Sequence, residues 1–79
     1  MNILRLKHLD GDNLIYEYQP EGKGEAGEIL LHMSSQKSEL IKKAFGDSEN
    51  ALYANKAMVK IEDFVMKKNL PMEYTQAWY

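Results

Sequence analysis

The two histidines of this 79-residue chain, His8 and His32, carry the side chains that ordinarily titrate near neutral pH. General acid or base catalysis, as in a small hydrolase or nuclease, would therefore depend on them first. Alternation along the predicted strands places His8 on the same face as Leu4 and Leu6, whereas His32 lies beside Leu30 on the opposite face. Because these positions do not converge, the sequence predicts no catalytic residues.

Other residue types with reactive or metal-binding chemistry are equally isolated. Asp10 and Asp12 flank a glycine just after His8, but such acids are ordinary in hairpin turns, and the spacing of a calcium-binding loop does not follow. The serines suit turns and caps and lie in no nucleophile-elbow motif. The chain has no cysteine, which excludes disulfides, thiolate metal sites and thiol nucleophiles. We therefore expect no metal site and no cofactor.

Residues 22–27, GKGEAG, have the spacing of the GxGxxG phosphate-binding motif. In dinucleotide-binding proteins that motif opens a helix within a βαβ unit, whereas here a strand is predicted to follow. Three nearby glutamates would also repel a phosphate that Lys23 alone attracts. We expect an inter-strand loop. The alternative is a small-molecule or nucleotide binder, with Tyr16 or His32 near a ligand held by Gly22, Lys23, Gly24 and Gly27.

Composition and charge limit the class of protein. Apolar residues make up 44% of the chain and charged residues 28%, which is typical of a globular domain. The formal net charge of -2 favours neither nucleic acid nor an anionic membrane as a partner. No apolar run is long enough for a signal peptide or a membrane span, so we expect a cytoplasmic protein. A core this small often gains stability through oligomerisation.

The first half of the chain has the alternation of β-strands. It predicts strands at about 2–9, 13–19 and 28–33, with a hairpin turn at the DGDN sequence between the first two. Residues 39–45 have both helical and extended spacing, and we favour a fourth strand because a polar turn separates them from the third. The sequence therefore predicts an α+β fold, in which an antiparallel β-meander of three or four strands packs against one C-terminal α-helix.

The longest helical pattern covers residues 49–68, which contain neither glycine nor proline. Asp47 or Ser48 can cap the first turn, Lys67 and Lys68 suit the C-terminal end, and Pro71 prevents continuation. A broad apolar arc on this helix should cover the sheet; its members are Tyr53, Ala54, Ala57, Met58, Ile61, Phe64 and Val65.

A second, narrower apolar stripe recurs along the helix at a spacing of seven residues, at Leu52, Val59 and Met66. One interpretation is that the tail, residues 70–79, docks over this stripe and hides it within the chain. The other is that the stripe is the seam of a dimer, which would enlarge a small core. The candidate interface residues are Leu52, Val59, Met66, Tyr74, Trp78 and Tyr79.

Three segments carry a resemblance to known sequences: YEYQPEGKGE at 16–25, the strand entry GEI at 27–29, and the terminal AWY. In these segments the chain resembles a group of short Firmicutes proteins that have no assigned function. The resemblance implies a bacterial protein with a four-stranded meander followed by a helix and a short tail. It implies no catalytic residues.

Surplus apolar surface without convergent reactive groups indicates binding rather than catalysis. We therefore predict that residues 1–79 form a single small domain, a non-enzymatic protein-interaction or regulatory module. It is expected to form a homodimer or to bind a protein partner, without nucleic acid, membrane or cofactor.

Overall fold

The computed structural model describes residues 1–78, which form one five-stranded antiparallel sheet and one helix. In chain order the elements are β1 (Asn2–Asp10), β2 (Asn13–Pro20), β3 (Gly27–His32), β4 (Lys37–Lys42), α1 (Leu52–Met66) and β5 (Glu73–Gln76). The strands lie in the order β4-β3-β2-β1-β5, and α1 packs on one face of the sheet. The predicted α+β fold is confirmed, with five strands instead of three or four.

The core lies between α1 and every second residue of the central strands. Period-two alternation along β2 and β3 turns one set of side chains toward the helix; the fully buried members are Leu14, Tyr16, Tyr18, Ile29 and Leu31. The helix contributes the main part of the predicted apolar arc, burying Ala54, Ala57, Ile61, Phe64 and Val65. Within residues 1–78 the other face of the sheet carries no helix, and it is called the open face below.

A β-bulge changes the face on which the end of β1 points. Leu6 opposes Tyr16, but the next paired residue is His8, which opposes Ile15, so Lys7 is an extra residue in β1. One inserted residue moves the side chains that follow to the other face. His8 therefore lies on the open face with 56% of its side chain exposed, and its predicted place on the apolar face is wrong.

The tail forms a strand that the sequence pattern did not predict. β5 pairs antiparallel with β1, placing Tyr74 opposite Leu4 and Gln76 opposite Asn2. A strand of four residues is too short to show a clear alternation. Its existence depends on the free edge of β1, which is a property of the folded sheet.

The fourth strand begins two residues earlier and ends three residues earlier than the predicted 39–45. Beyond β4 the regular pairing with β3 ends, and the Ala44 N–H donates to the hydroxyl of Tyr18 at 2.9 Å. The last two apolar residues of the predicted strand therefore lie in a loop, where Ala44 is buried and Phe45 is 84% exposed.

The helix is shorter than the predicted 49–68 at both ends, although Asp47 and Ser48 accept hydrogen bonds from its first turn as predicted. The Ser48 hydroxyl accepts the Leu52 N–H at 2.9 Å, and the Asp47 carboxylate accepts the next two N–H groups at 2.9 and 3.1 Å. Ala51 has a left-handed backbone, with φ 55°, and Lys68 has φ 57°, so helical geometry is confined between them. Within residues 1–78, no helix has the length and apolar content needed to cross a membrane.

Candidate protein-interaction surface

Leu52, Val59 and Met66 form an exposed line on the side of α1 that faces away from the sheet. Their exposed fractions are 47%, 72% and 67%. These three residues are called the α1 stripe below. The stripe is exposed even though the tail folds back, so the interpretation that the tail hides it is wrong. The helix thus buries one apolar face and presents the other to solvent.

The aromatic residues of the tail pack against members of the apolar arc of α1 and not against the α1 stripe. The Trp78 ring makes an edge-to-face contact with Tyr53, with ring centroids 5.3 Å apart, and the Lys56 ammonium lies 5.5 Å from the Trp78 ring centre. Tyr74 makes a similar contact with Phe64 at 5.2 Å. Two of the predicted interface aromatics are therefore engaged within the chain. Tyr79, the third, lies outside the described residues.

A groove of about 310 Å³ lies between the first half of the α1 stripe and β5. Its lining residues are Leu52, Asn55, Lys56, Val59 and Gln76. Gln76 is held in place on both sides: its amide donates to the Lys56 carbonyl at 2.9 Å, and its side-chain oxygen accepts a bond from Asn2 at 3.1 Å. The sequence alone contained no sign of Gln76 as a lining residue, because its position depends on the pairing of β5.

Charged and polar residues border the α1 stripe in a defined order. At about 100° per residue, Lys56 and Asp63 project from one side of the stripe, with Lys60 and Lys67 farther round the helix on the same side. Asn55 and Glu62 project from the other side. Asp63 forms an ion pair with Lys67 at 3.2 Å, one turn further along the helix. An apolar line with charges of both signs on one border suits another helix better than it suits a small ligand.

The glycine-containing segment 22–27 is a compact turn whose backbone groups bond to the chain itself. The Gly22 and Lys23 N–H groups each donate at 3.1 Å to carbonyls at the end of β2, and the Gly24 carbonyl accepts the Gln19 side chain at 2.7 Å. Gly22 and Gly24 have φ of 68° and 76°, which explains why glycine stands there. Two amides that a phosphate would need are thus already used.

Two carboxylates, one just before this turn and one within it, also have partners. The N-terminal ammonium and the Tyr53 hydroxyl donate to Glu21, both at 2.7 Å, and these hydrogen bonds lower the pKa of the Glu21 carboxyl. A hydrogen bond and the charge of Lys42, 2.5 Å away, lower the pKa of Glu25 in the same way. The turn therefore holds two ionised carboxylates at neutral pH, which oppose an anionic ligand.

The remaining candidate ligand residues have structural contacts. A Cβ added to Gly27 would lie 2.2 Å from a ring carbon of Tyr18, so glycine is required for packing there. The hydroxyl of Tyr16 donates to the Pro71 carbonyl at 2.5 Å within the core. Neither residue offers a free group to a ligand.

The two histidines lie on separate strands with β2 between them, and each is near acidic residues. His8 is 3.9 Å from Asp10, and His32 is 3.9 Å from Asp12 and 4.0 Å from Glu39. The Asp12 carboxylate accepts the Ser34 N–H at 2.6 Å, which ties the β1–β2 turn to the end of β3. Across residues 1–78, the histidine and acidic side chains form no group of three suited to a metal ion.

No protein-family model, curated protein or solved structure matches this chain. The resemblance to short Firmicutes proteins therefore stays a prediction. The feature that points most directly to a function is the exposed α1 stripe with its adjoining groove and charged border.

Proposed function

We propose that this protein is a non-enzymatic protein-interaction module that self-associates through the α1 stripe. The observation that carries the proposal is the exposure of Leu52, Val59 and Met66 in one line on a helix whose opposite face is buried. Single exposed apolar side chains are common on proteins, whereas an aligned set beside a groove is typical of an interaction site.

The free energy of burying the α1 stripe would be of the same order as the cost of forming a dimer. Fully burying one exposed side chain of this size contributes about 1.5 to 3 kcal/mol, and a two-fold interface would bury the part that is still exposed, about half to three quarters, of six of them. Association costs roughly 4 to 15 kcal/mol in lost rotational and translational freedom. Because these quantities largely cancel, we expect a weak, reversible dimer that forms toward millimolar concentration and not an obligate one.

The alternative functions have less support. The 22–27 turn has engaged amides and ionised carboxylates, which disfavour a nucleotide. His8 and His32 are flanked by acids but lie apart from the groove beside α1, which disfavours a hydrolase or nuclease. A regulatory role in the cytoplasm of a bacterial cell belongs to the same proposal, supported by the sequence resemblance and by a chain without cysteine.

Sedimentation velocity over a range of protein concentrations tests this function. The unmodified chain should pass from monomer to dimer, whereas Val59→Asp should remain monomeric with an unchanged circular dichroism spectrum. Phe45→Asp is the matched control, because Phe45 is 84% exposed but lies in the loop after β4. It should dimerise like the unmodified protein.

Two outcomes would contradict the proposal. If the unmodified chain is monomeric at millimolar concentration, it does not self-associate. If Phe45→Asp dissociates the dimer and Val59→Asp does not, the interface lies at the loop and the α1 stripe is not the site.

A further inference from the structure

We infer that two copies of this chain pack their α1 helices antiparallel, so that Lys56 of each copy pairs with the partner's Asp63. This inference rests on the proposed function and specifies the partner of the α1 stripe as a second copy in one orientation. It follows from the symmetry of the stripe, the charges on its border and the position of the groove.

The α1 stripe is symmetric about its central residue. Val59 lies seven residues from Leu52 and seven from Met66. A two-fold axis that passes beside Val59 and reverses the helix direction therefore places Val59 on itself and Leu52 on the partner's Met66. All six apolar side chains meet in such an interface, and each copy uses the same surface.

The charged border distinguishes the antiparallel arrangement from the parallel one. When two facing helices are antiparallel, each side of one stripe meets the same side of the other, as the e positions do in antiparallel coiled coils. Lys56 and Asp63 share one side and lie about equally far from Val59 in opposite directions. The reversal therefore brings each Lys56 beside the partner's Asp63, and the dimer gains two ion pairs between oppositely charged side chains.

A parallel arrangement produces the opposite electrostatic result. It places the side that carries Asp63 against the partner's side that carries Glu62, at nearly the same height along the axis. Two pairs of carboxylates would then face each other. Glu62 accepts a hydrogen bond from Ser38 of β4, which draws its carboxylate toward the sheet, but Glu62 and the partner's Asp63 would still lie on facing sides of the two helices. Repulsion of this kind selects against the wrong partner geometry.

The groove fits the antiparallel arrangement as well. Helical side chains lean toward the N-terminus of their own helix, so the partner's Met66 leans toward residues 62–63 of its own helix. In the antiparallel pair those residues lie over Asn55 and Lys56, which line the groove together with Gln76. A methionine is flexible enough to fill an irregular groove of about 310 Å³.

The existing contacts of the two charged residues leave room for the new ones. Asp63 pairs with Lys67 through one oxygen, and its second oxygen can accept from the partner's Lys56. Lys56 lies over the Trp78 ring at 5.5 Å, a contact through its charge that leaves its N–H donors free.

Cysteine cross-linking tests the orientation cleanly, because the chain has no cysteine of its own. Leu52 and Met66 are about 21 Å apart along the helix axis at 1.5 Å per residue, farther than a short bis-maleimide reaches. In an antiparallel dimer, Val59→Cys cross-links with itself. Leu52→Cys and Met66→Cys fail to cross-link alone, but an equimolar mixture of the two gives a cross-linked dimer.

The cross-linking outcomes separate the two proposals. Self-cross-linking of both Leu52→Cys and Met66→Cys, without a gain in the mixture, would mean a parallel dimer; the orientation would then be wrong and the self-association right. A chain that sediments as a monomer and cross-links in no combination would overturn both.

Charge exchange gives an independent measurement of the Lys56 and Asp63 pairing. Lys56→Glu and Asp63→Lys should each raise the dimer dissociation constant about tenfold, since each places like charges opposite one another twice. The double exchange should restore the constant to within about threefold of the unmodified value. Lys37→Glu on β4 is the control and should have no effect. If the double variant still dimerises but its dissociation constant is no lower than those of the single variants, the pairing of Lys56 with Asp63 is refuted. The self-association is then unaffected.

Discussion

The hydroxyl of Tyr18 donates a 2.7 Å hydrogen bond to the carboxylate of Asp47, and that carboxylate also caps the first turn of α1. The same hydroxyl accepts the Ala44 N–H at 2.9 Å. Tyr18 is fully buried in the sheet. One side chain of the sheet thus fixes the loop after β4 and the start of the helix, and through them the direction in which the α1 stripe faces.

Asp47→Ala should destabilise the protein by about 2 to 3 kcal/mol. The substitution removes the acceptor for two helix N–H groups and leaves the buried Tyr18 hydroxyl without its acceptor. Ser48→Ala is the matched comparison, because it removes one capping bond and should cost about 1 kcal/mol. Urea denaturation measures both values. Equal losses for the two variants would show that the bond to Tyr18 contributes little.

Stability should fall at alkaline pH because of the buried tyrosines. Burial raises the pKa of Tyr16 to about 12 from its ordinary 10.0, and it raises the pKa of Tyr18 as well. Below pH 10 both the folded and the unfolded chain keep these protons, so the stabilising contribution is complete. As the pH rises from about 10 to 12 the unfolded chain loses them first, and the free energy of unfolding decreases.

Denaturant unfolding at a series of pH values measures this effect. Tyr16→Phe removes one of the two groups, so its stability should decline less steeply with pH above 10 than that of the unmodified chain. Parallel curves for the two proteins would mean that Tyr16 ionises at its ordinary pKa in the folded state.

Gly27→Ala should be far more destabilising than Gly11→Ala. A Cβ at Gly27 would lie 2.2 Å from a ring carbon of Tyr18 and 2.5 Å from the Lys42 carbonyl oxygen, so β3 or its neighbours must shift. We expect a loss of about 3 kcal/mol. Gly11 has nothing within 4 Å of such a Cβ and is strained only by its φ of 59°, which costs about 1 kcal/mol. Thermal unfolding of the two variants measures both losses of stability. Equal losses would mean that a Cβ at position 27 does not clash with its neighbours.

Asn2→Asp should weaken the attachment of both α1 and β5. Asn2 is fully buried, and its amide donates to the Tyr53 carbonyl at 3.0 Å and to the Gln76 side chain at 3.1 Å. A carboxylate there cannot donate when ionised and is costly to bury, so we expect a loss of about 3 kcal/mol at neutral pH. Acidification that protonates the new carboxyl should recover part of this loss.

The fluorescence of Trp78, the single tryptophan of the chain, reports the same change. Its ring packs on Tyr53, so loosening the tail in Asn2→Asp should shift the emission toward the red. Asn50→Asp changes an exposed asparagine in the same way and should leave both stability and emission unchanged. An unshifted spectrum for Asn2→Asp would mean that the tail docks without this amide.

Much of the fold could be predicted because it depends on residues close together in the sequence. The strand pattern of β1 to β3 follows from alternation, and the caps of α1 follow from acceptors placed just before the helix. The bulge at Lys7 was not predictable, since one extra residue in β1 is visible only against the register of β2. That single insertion decides which face His8 occupies.

The two apolar faces of α1 can be read from the sequence, because helical periodicity depends only on spacing along the chain. Which of the two faces stays exposed depends on how the folded chain packs. The arc around Ile61 packs on the sheet, while β5 pairs with the free edge of β1 and Trp78 settles on Tyr53, beside the α1 stripe. Strand pairing and tail docking join residues far apart in sequence, so their outcome depends on which edges and surfaces the folded sheet leaves open.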